Sequence, residues 1–365
     1  MSFPGCDVGH DQPRNGTRVA RLLRGVIAFL AFCSVAPMTT EARTPLAVAE
    51  TMIDSGVPGQ QLYLRNKHPE GMSDFRADRT LLFVHGATYP ASTSFDLPIE
   101  GKSWMDVLAE RGFDVWLLDL PGYGRSGRPP EMDAPAAANP PLTDTADAVH
   151  AYATAAEHIM RMRHVSRLDV MGWSWGTTIA AGYAARWPDH VERLVLYAPL
   201  WIPQTPVTLG PAGVLGAYRL VTRDAALARW LQGVPEAGRA DLIPPGVFDA
   251  WADATWQTDP KASTHTPSAL RAPNGVIKDL REAWSAGHPT YDPARIAAPT
   301  LIVQGEWDHD TPPAMARALF AKLTHAPWKQ YELLGGGTHT IIMERNRRLL
   351  YQAVQHFLED PPPVR

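Results

Sequence analysis

The chain is poor in cysteine, with two among 365 residues. Both, Cys6 and Cys33, lie near its start. The body of the chain therefore offers no disulfide, no thiolate nucleophile and no Cys-based metal site, so covalent catalysis there needs another nucleophile. No metal and no cofactor is expected. Long runs of Lys or Arg are also missing from the body, and 34 basic against 38 acidic residues leave a formal net charge of −4. That balance argues against nucleic acid and leaves a small molecule as the expected partner. The apolar run at 25–36, GVIAFLAFCSVA, is shorter than the roughly 20 residues of a membrane-spanning helix. What is present suits a globular protein: 45% hydrophobic and 20% charged residues, with 34 Pro and 12 Trp.

The first 42 residues read as an export signal and leader. Arg18, Arg21 and Arg24 precede the apolar run, and small residues follow at Ser34-Val35-Ala36 or Thr40-Glu41-Ala42, both plausible cleavage points. An uncleaved anchor is the competing reading. The signal implies a periplasmic or secreted protein with no stable membrane anchor once processed.

Strands and helices alternate through the rest. Short apolar runs at 80–85, 113–120, 167–171, 193–197, 299–304 and 329–334 are bounded by Gly or Pro, as strands buried on both faces are. Helical patterns occupy 143–163, 177–185, 313–323 and 341–358. Such alternation predicts an α/β fold with a doubly wound, mostly parallel sheet. Residues 201–298 break the rhythm and hold Trp201, Trp230, Trp251, Trp256 and Trp284. They read as a helical cap over the carboxyl edge of the sheet, where ligands bind in such folds. The organisation is then leader 1–42, core 43–200, cap 201–298 and core 299–365.

The strongest chemical signal is Gly172-Trp173-Ser174-Trp175-Gly176, between an apolar strand and an Ala-rich helix. There a Ser sits on a sharp strand-to-helix turn, its hydroxyl lifted above the sheet at a helix N-terminus. A hydroxyl needs a base. His339, in the glycine-rich loop after the last apolar strand, suits that role better than His309, His325 or His356. An acid must orient the imidazole. The spacing after Gly305 favours Asp308. Asp310, which could instead cap the following helix, and Glu306 remain open. Two N–H donors for an oxyanion are expected from Ala87 and Trp175. Tyr89, Trp173 and Trp201 are candidate substrate contacts, and Trp175 a candidate addition to the wall.

Together FVHGA (83–87), DLPGYGRS (119–126), GWSWG (172–176), QGEWD (304–308) and GGGTH (335–339) resemble the α/β-hydrolase superfamily over roughly residues 61–358. The resemblance implies an eight-stranded core, a cap and a Ser174–Asp308–His339 triad. Ser at the nucleophile position disfavours the dehalogenases and epoxide hydrolases of the superfamily, which carry Asp there. HGATYP at 85–90 departs from the HGGPG of proline iminopeptidases and the HGGG of many lipases. A serine hydrolase acting through an acyl-enzyme on small, mainly apolar carboxylic esters fits best, with efficiency rising with acyl length under the Trp-rich cap. The alternatives are a proline-iminopeptidase-like aminopeptidase, told apart by cleavage of aminoacyl amides, and a serine acyltransferase, told apart by transfer to an alcohol. A non-catalytic binding protein on this fold would usually have lost Ser or His.

Overall fold

Five of the six short apolar runs form the middle of an eight-stranded sheet, and the sixth, at 329–334, is its edge strand, open on one side and so not buried on both faces as expected. The structure is a computed structural model that describes residues 44–203 and 213–360. The leader, with its export signal, falls outside the described residues. In chain order come β1 (Leu46–Asp54), β2 (Gln61–Pro69) and β3 (Thr80–Val84), the short helices α1 (Ala91–Ser94) and α2 (Trp104–Ala109), then β4 (Asp114–Asp119), α3 (Thr145–Arg163), β5 (Leu168–Trp173), α4 (Trp175–Arg186) and β6 (Val191–Tyr197). The stretch read as a cap holds β7 (Tyr218–Thr222), α5 (Arg223–Trp230), α6 (Glu236–Leu242), α7 (Val247–Gln257), β8 (Ala269–Pro273) and α8 (Gly275–Glu282). The chain then completes the sheet with β9 (Thr300–Gly305), α9 (Pro313–Lys322), β10 (Lys329–Leu334) and α10 (Arg347–Glu359).

The sheet order is β1-β2-β4-β3-β5-β6-β9-β10. β2 pairs antiparallel with both β1 and β4, and the remaining neighbours are parallel. β3, β4, β5 and β9 are buried at every residue. The cause is helices on both faces. Leu82, Val84 and Val170 pack with Ile159, Ile179 and Leu319 of α3, α4 and α9. Their neighbours Leu81, Phe83 and Met171 point the other way, against Leu108 of α2 and Phe357 of α10. Side chains alternate between faces along a strand, so one apolar run feeds two cores.

Within 201–298 the structure adds an antiparallel ribbon, β7 with β8, to the expected helices. α8 lies against the start of α3: Asp279 accepts from the Thr145 N–H at 2.7 Å, and Lys278 pairs with Asp144 at 3.2 Å. The last helix, expected over 341–358, begins only at Arg347. Glu344 is turned inward and accepts from the Thr338 N–H and hydroxyl, which leaves a single 3₁₀ turn, Ile341–Met343, before it.

Candidate active site

Ser174 stands between β5 and α4 with φ 58° and ψ −122°. That backbone state is costly for a residue with a Cβ, on the order of 1–3 kcal/mol, and persists only where its surroundings impose it. Here the Ser174 N–H donates to the Tyr197 carbonyl at 2.9 Å, and the Ser174 carbonyl accepts from the Thr177 N–H at 2.9 Å. The two flanking glycines allow the turn to close. A Cβ on Gly172 would overlap the Gly176 carbonyl, and one on Gly176 would come within 2.5 Å of the Val84 carbonyl.

His339 reaches the same cavity from the loop after β10. Its carbonyl accepts from Trp173 Nε1 at 3.0 Å and Tyr197 Oη at 2.7 Å, which pins the loop to the strand ends of β5 and β6. Its Nδ1 faces both oxygens of Asp308, at 3.0 and 2.9 Å. Asp308 is held by the Thr311 N–H at 2.8 Å and lies 2.9 Å from the Thr311 hydroxyl. Of the three acids expected from sequence, Asp308 is therefore the one that bonds Nδ1 of the imidazole. Glu306 accepts from the Gly336 N–H at the surface. Asp310 does not cap α9, whose N-cap is Pro312 with no side-chain bond. Its carboxylate instead receives Arg229 Nε at 3.0 and 2.8 Å. Burial pushes the His339 imidazole down, but the Asp308 and Asp310 carboxylates outweigh it, so its pKa is raised above the usual value. His325 and His356 lie elsewhere, and His309 is absent from the cavity wall.

The loop after β3 is set by His85. Burial pushes this imidazole down to about 4, so it is neutral. Its Nε2 accepts from the Leu120 N–H at 3.1 Å, which leaves Nδ1 to donate to the Gly86 carbonyl at 2.7 Å. In a trans peptide the N–H points away from the carbonyl, so this bond fixes the direction of the Ala87 N–H. Gly86 permits close approach, since a Cβ there would sit 3.0 Å from Ser174 Cβ. The Trp175 N–H is in the first turn of α4, where no intrahelical acceptor exists.

The cavity is small, about 30 Å³, room for two or three waters. Ser174, His339 and Gly86-Ala87-Thr88-Tyr89 meet Ala226, Arg229, Trp230 and Trp251 of the insert across it. Trp173 and Tyr89 line it as expected. Trp201 does not: it packs edge-on against Tyr291, ring centres 5.3 Å apart, and borders a different surface groove. The Trp175 side chain also turns away, donating Nε1 to Thr145 Oγ1 at 2.9 Å. Of the other insert tryptophans, Trp256 stands behind Trp251, with ring centres 6.0 Å apart, and Trp284 is buried beside α8. Three contributors were not foreseen. Arg229 lines the wall. Arg219 donates to the Ala87 carbonyl at 2.6 Å. Glu344 accepts from Trp230 Nε1 at 2.9 Å and so ties the insert to the His339 loop. Burial raises the Glu344 carboxyl to about 7 against the opposing hydrogen bonds from Thr338 and Trp230. Among the described residues no group of three or more His, Cys, Asp or Glu could hold a metal ion, and no helix is long and apolar enough to cross a membrane.

Residues 79–346 match the profile of the alpha/beta hydrolase fold family, and the chain belongs to that family. It is similar to a 1-acylglycerol-3-phosphate O-acyltransferase of Arabidopsis thaliana, 29% identical over 162 residues, or 42% of this chain and 35% of the relative. The chain thus spans about a third of that relative's length. Among solved structures it resembles a serine hydrolase involved in carbazole degradation, at TM-score 0.57 and 15% identity over 86% of this chain and 99% of that one. It also resembles a bacterial membrane phospholipase A, at TM-score 0.53 and 20% identity over 86% of each chain. At these identities the likeness is one of fold.

Proposed function

We propose that the protein is a serine hydrolase of small, mainly apolar carboxylic esters. The observation that carries this reading is the convergence of a strained Ser174 and an Asp308-oriented His339 on one cavity. Ser174 Oγ attacks the ester carbonyl while His339 Nε2 takes its proton. The Ala87 and Trp175 N–H groups receive the oxyanion. The imidazolium, stabilised by Asp308, returns the proton to the departing alkoxide and leaves an acyl-enzyme. Water, deprotonated by the same nitrogen, then releases the acid and frees Ser174. A wall of Trp173, Trp230, Trp251 and Ala226 suits an apolar acyl group. Its small volume supports a short one, against the rise with acyl length expected from the Trp content. The test is hydrolysis of aryl acetate, butyrate and octanoate by the wild type and Ser174→Ala. Short esters should be preferred, and the variant should lose about 10⁴-fold or more. A variant that kept its turnover would end the reading.

A second reading, acyl transfer to an alcohol, draws on the similarity to a relative named as an O-acyltransferase. It uses the same residues. Adding a primary alcohol to the ester assay separates the two, since a transferase forms new ester in preference to free acid. The leader 1–42, with its apolar run at 25–36, supports an exported protein, for which the N-terminus of the protein recovered from culture medium or periplasm is the check. A chain found only in the cytoplasmic fraction and still starting at Met1 would exclude it, whereas an exported chain starting at Met1 would point to the uncleaved anchor.

A further inference from the structure

A second carboxylate stands on the wrong side of the imidazole for a triad. Asp310 Oδ2 is 4.0 Å from His339 Nε2, the nitrogen that must stay free to take a proton from Ser174. Asp308 already occupies Nδ1. A free carboxylate at that distance would attract the Nε2–H of the imidazolium and hold the proton that the leaving group needs. The structure answers this with a cation from another part of the chain. Arg229, on α5 of the insert, directs Nε at both Asp310 oxygens, at 3.0 and 2.8 Å, while its Nη1 lies 3.5 Å from Thr88 Oγ1. Arg219 bonds the same Thr88 hydroxyl at 2.9 Å and so backs the arrangement.

We propose that Arg229 is a positioning residue that holds and neutralises Asp310, keeping His339 Nε2 available as the base. The proposal rests on the serine-hydrolase reading of the site. It makes the seating of the insert a condition of basicity: if α5 lifts away, Asp310 is released towards the imidazole and His339 is held protonated. The other charged or titratable groups around the pair are Asp308, Glu344 behind the His339 loop, Arg219, the Tyr89 phenol and His309 beside Asp310. All of them remain in place in the variants below. The electrostatics agree in direction, since Asp310 draws the His339 pKa up and Arg229 draws it down.

The experiment is the pH dependence of kcat/KM for Arg229→Gln, Asp310→Asn and the double variant, with the His339 imidazole followed by NMR in the Ser174→Ala background. Arg229→Gln should move the acid limb upward by about one unit, so that the rate falls about tenfold at low pH and recovers at high pH. The His339 titration should move with it. Asp310→Asn should move both downward, and the double variant should return the limb close to that of Asp310→Asn. A uniform loss at every pH that the second substitution does not relieve, with no change in the His339 titration, would overturn the proposal. The NMR arm does not depend on turnover, so a failure of the hydrolase reading would show in the Ser174→Ala kinetics while the Arg229 effect is still measured.

Discussion

The two walls of the cavity are built by different means. The lower wall is backbone. Ser174, Ala87 and Trp175 owe their placement to main-chain turns, two glycines that tolerate no Cβ, and hydrogen bonds from β6 and His85. The upper wall is side chain. α5 and α7 are attached to the core site through Arg229 on Asp310, Trp230 on Glu344, and Trp251 edge-on to Tyr89 at 4.6 Å. A wall fixed by main chain has little freedom to vary, since a Cβ on Gly172 or Gly176 would meet backbone, and in the proposed reaction it holds the nucleophile and the oxyanion donors. A wall fixed by a few side chains can be moved by single substitutions, so on the proposed reading it is the part expected to select substrate and tune protonation.

That contrast breaks most sharply at the two acids. Asp308→Asn should lower kcat/KM on the order of 10⁴-fold, since the imidazole loses its orienting partner. Asp310→Asn, two residues away, should stay within about tenfold. Steady-state kinetics near pH 8 on both variants decides, and the reverse ranking would move the triad acid to Asp310.

The upper wall should yield a change of selectivity. Trp251→Ala removes a buried face of the cavity and should raise the butyrate-to-acetate ratio of kcat/KM by roughly tenfold, as two further methylenes find cover. The same change should cost about 3–5 kcal/mol of stability, read from urea unfolding. An unaltered ratio would mean that Trp251 only packs.

The smallest expected effect concerns the link between the walls. Glu344 is about 7 in the folded protein against an ordinary value of 4.5, so the folded state holds the proton more tightly. Its contribution is complete below about 4.5 and is lost as pH rises through 7, a loss of up to about 3 kcal/mol. Glu344→Gln should flatten the fall in Tm between pH 5 and 8, and an unchanged slope in the variant would remove Glu344 as its source.

The core was legible because buried parallel strands are continuous apolar runs and because the nucleophile turn imposes its glycines. Ser174 followed from that turn, whereas His339 was favoured by its loop after the last strand and Asp308 by its spacing after Gly305, with Asp310 and Glu306 left open. The β1–β2 hairpin escaped notice because Val48, Glu50 and Met52 of β1 face solvent, so the strand is no apolar run. The ribbon β7–β8 escaped for the same reason on its β7 side, where no residue is fully buried. Trp201 was misplaced because a tryptophan count does not say which face of the core each ring joins. Arg229 and Glu344 had no sequence signal, since each matters through a partner that only the folded chain brings near.

The central claim is that Ser174 is the nucleophile. The most direct test is the intact mass and peptide map of the wild type and of Ser174→Ala after exposure to a fluorophosphonate. The account predicts one adduct per chain, on the peptide containing Ser174, and none in the variant. Labelling of the variant at the wild-type rate, or an adduct on a different residue, would contradict it.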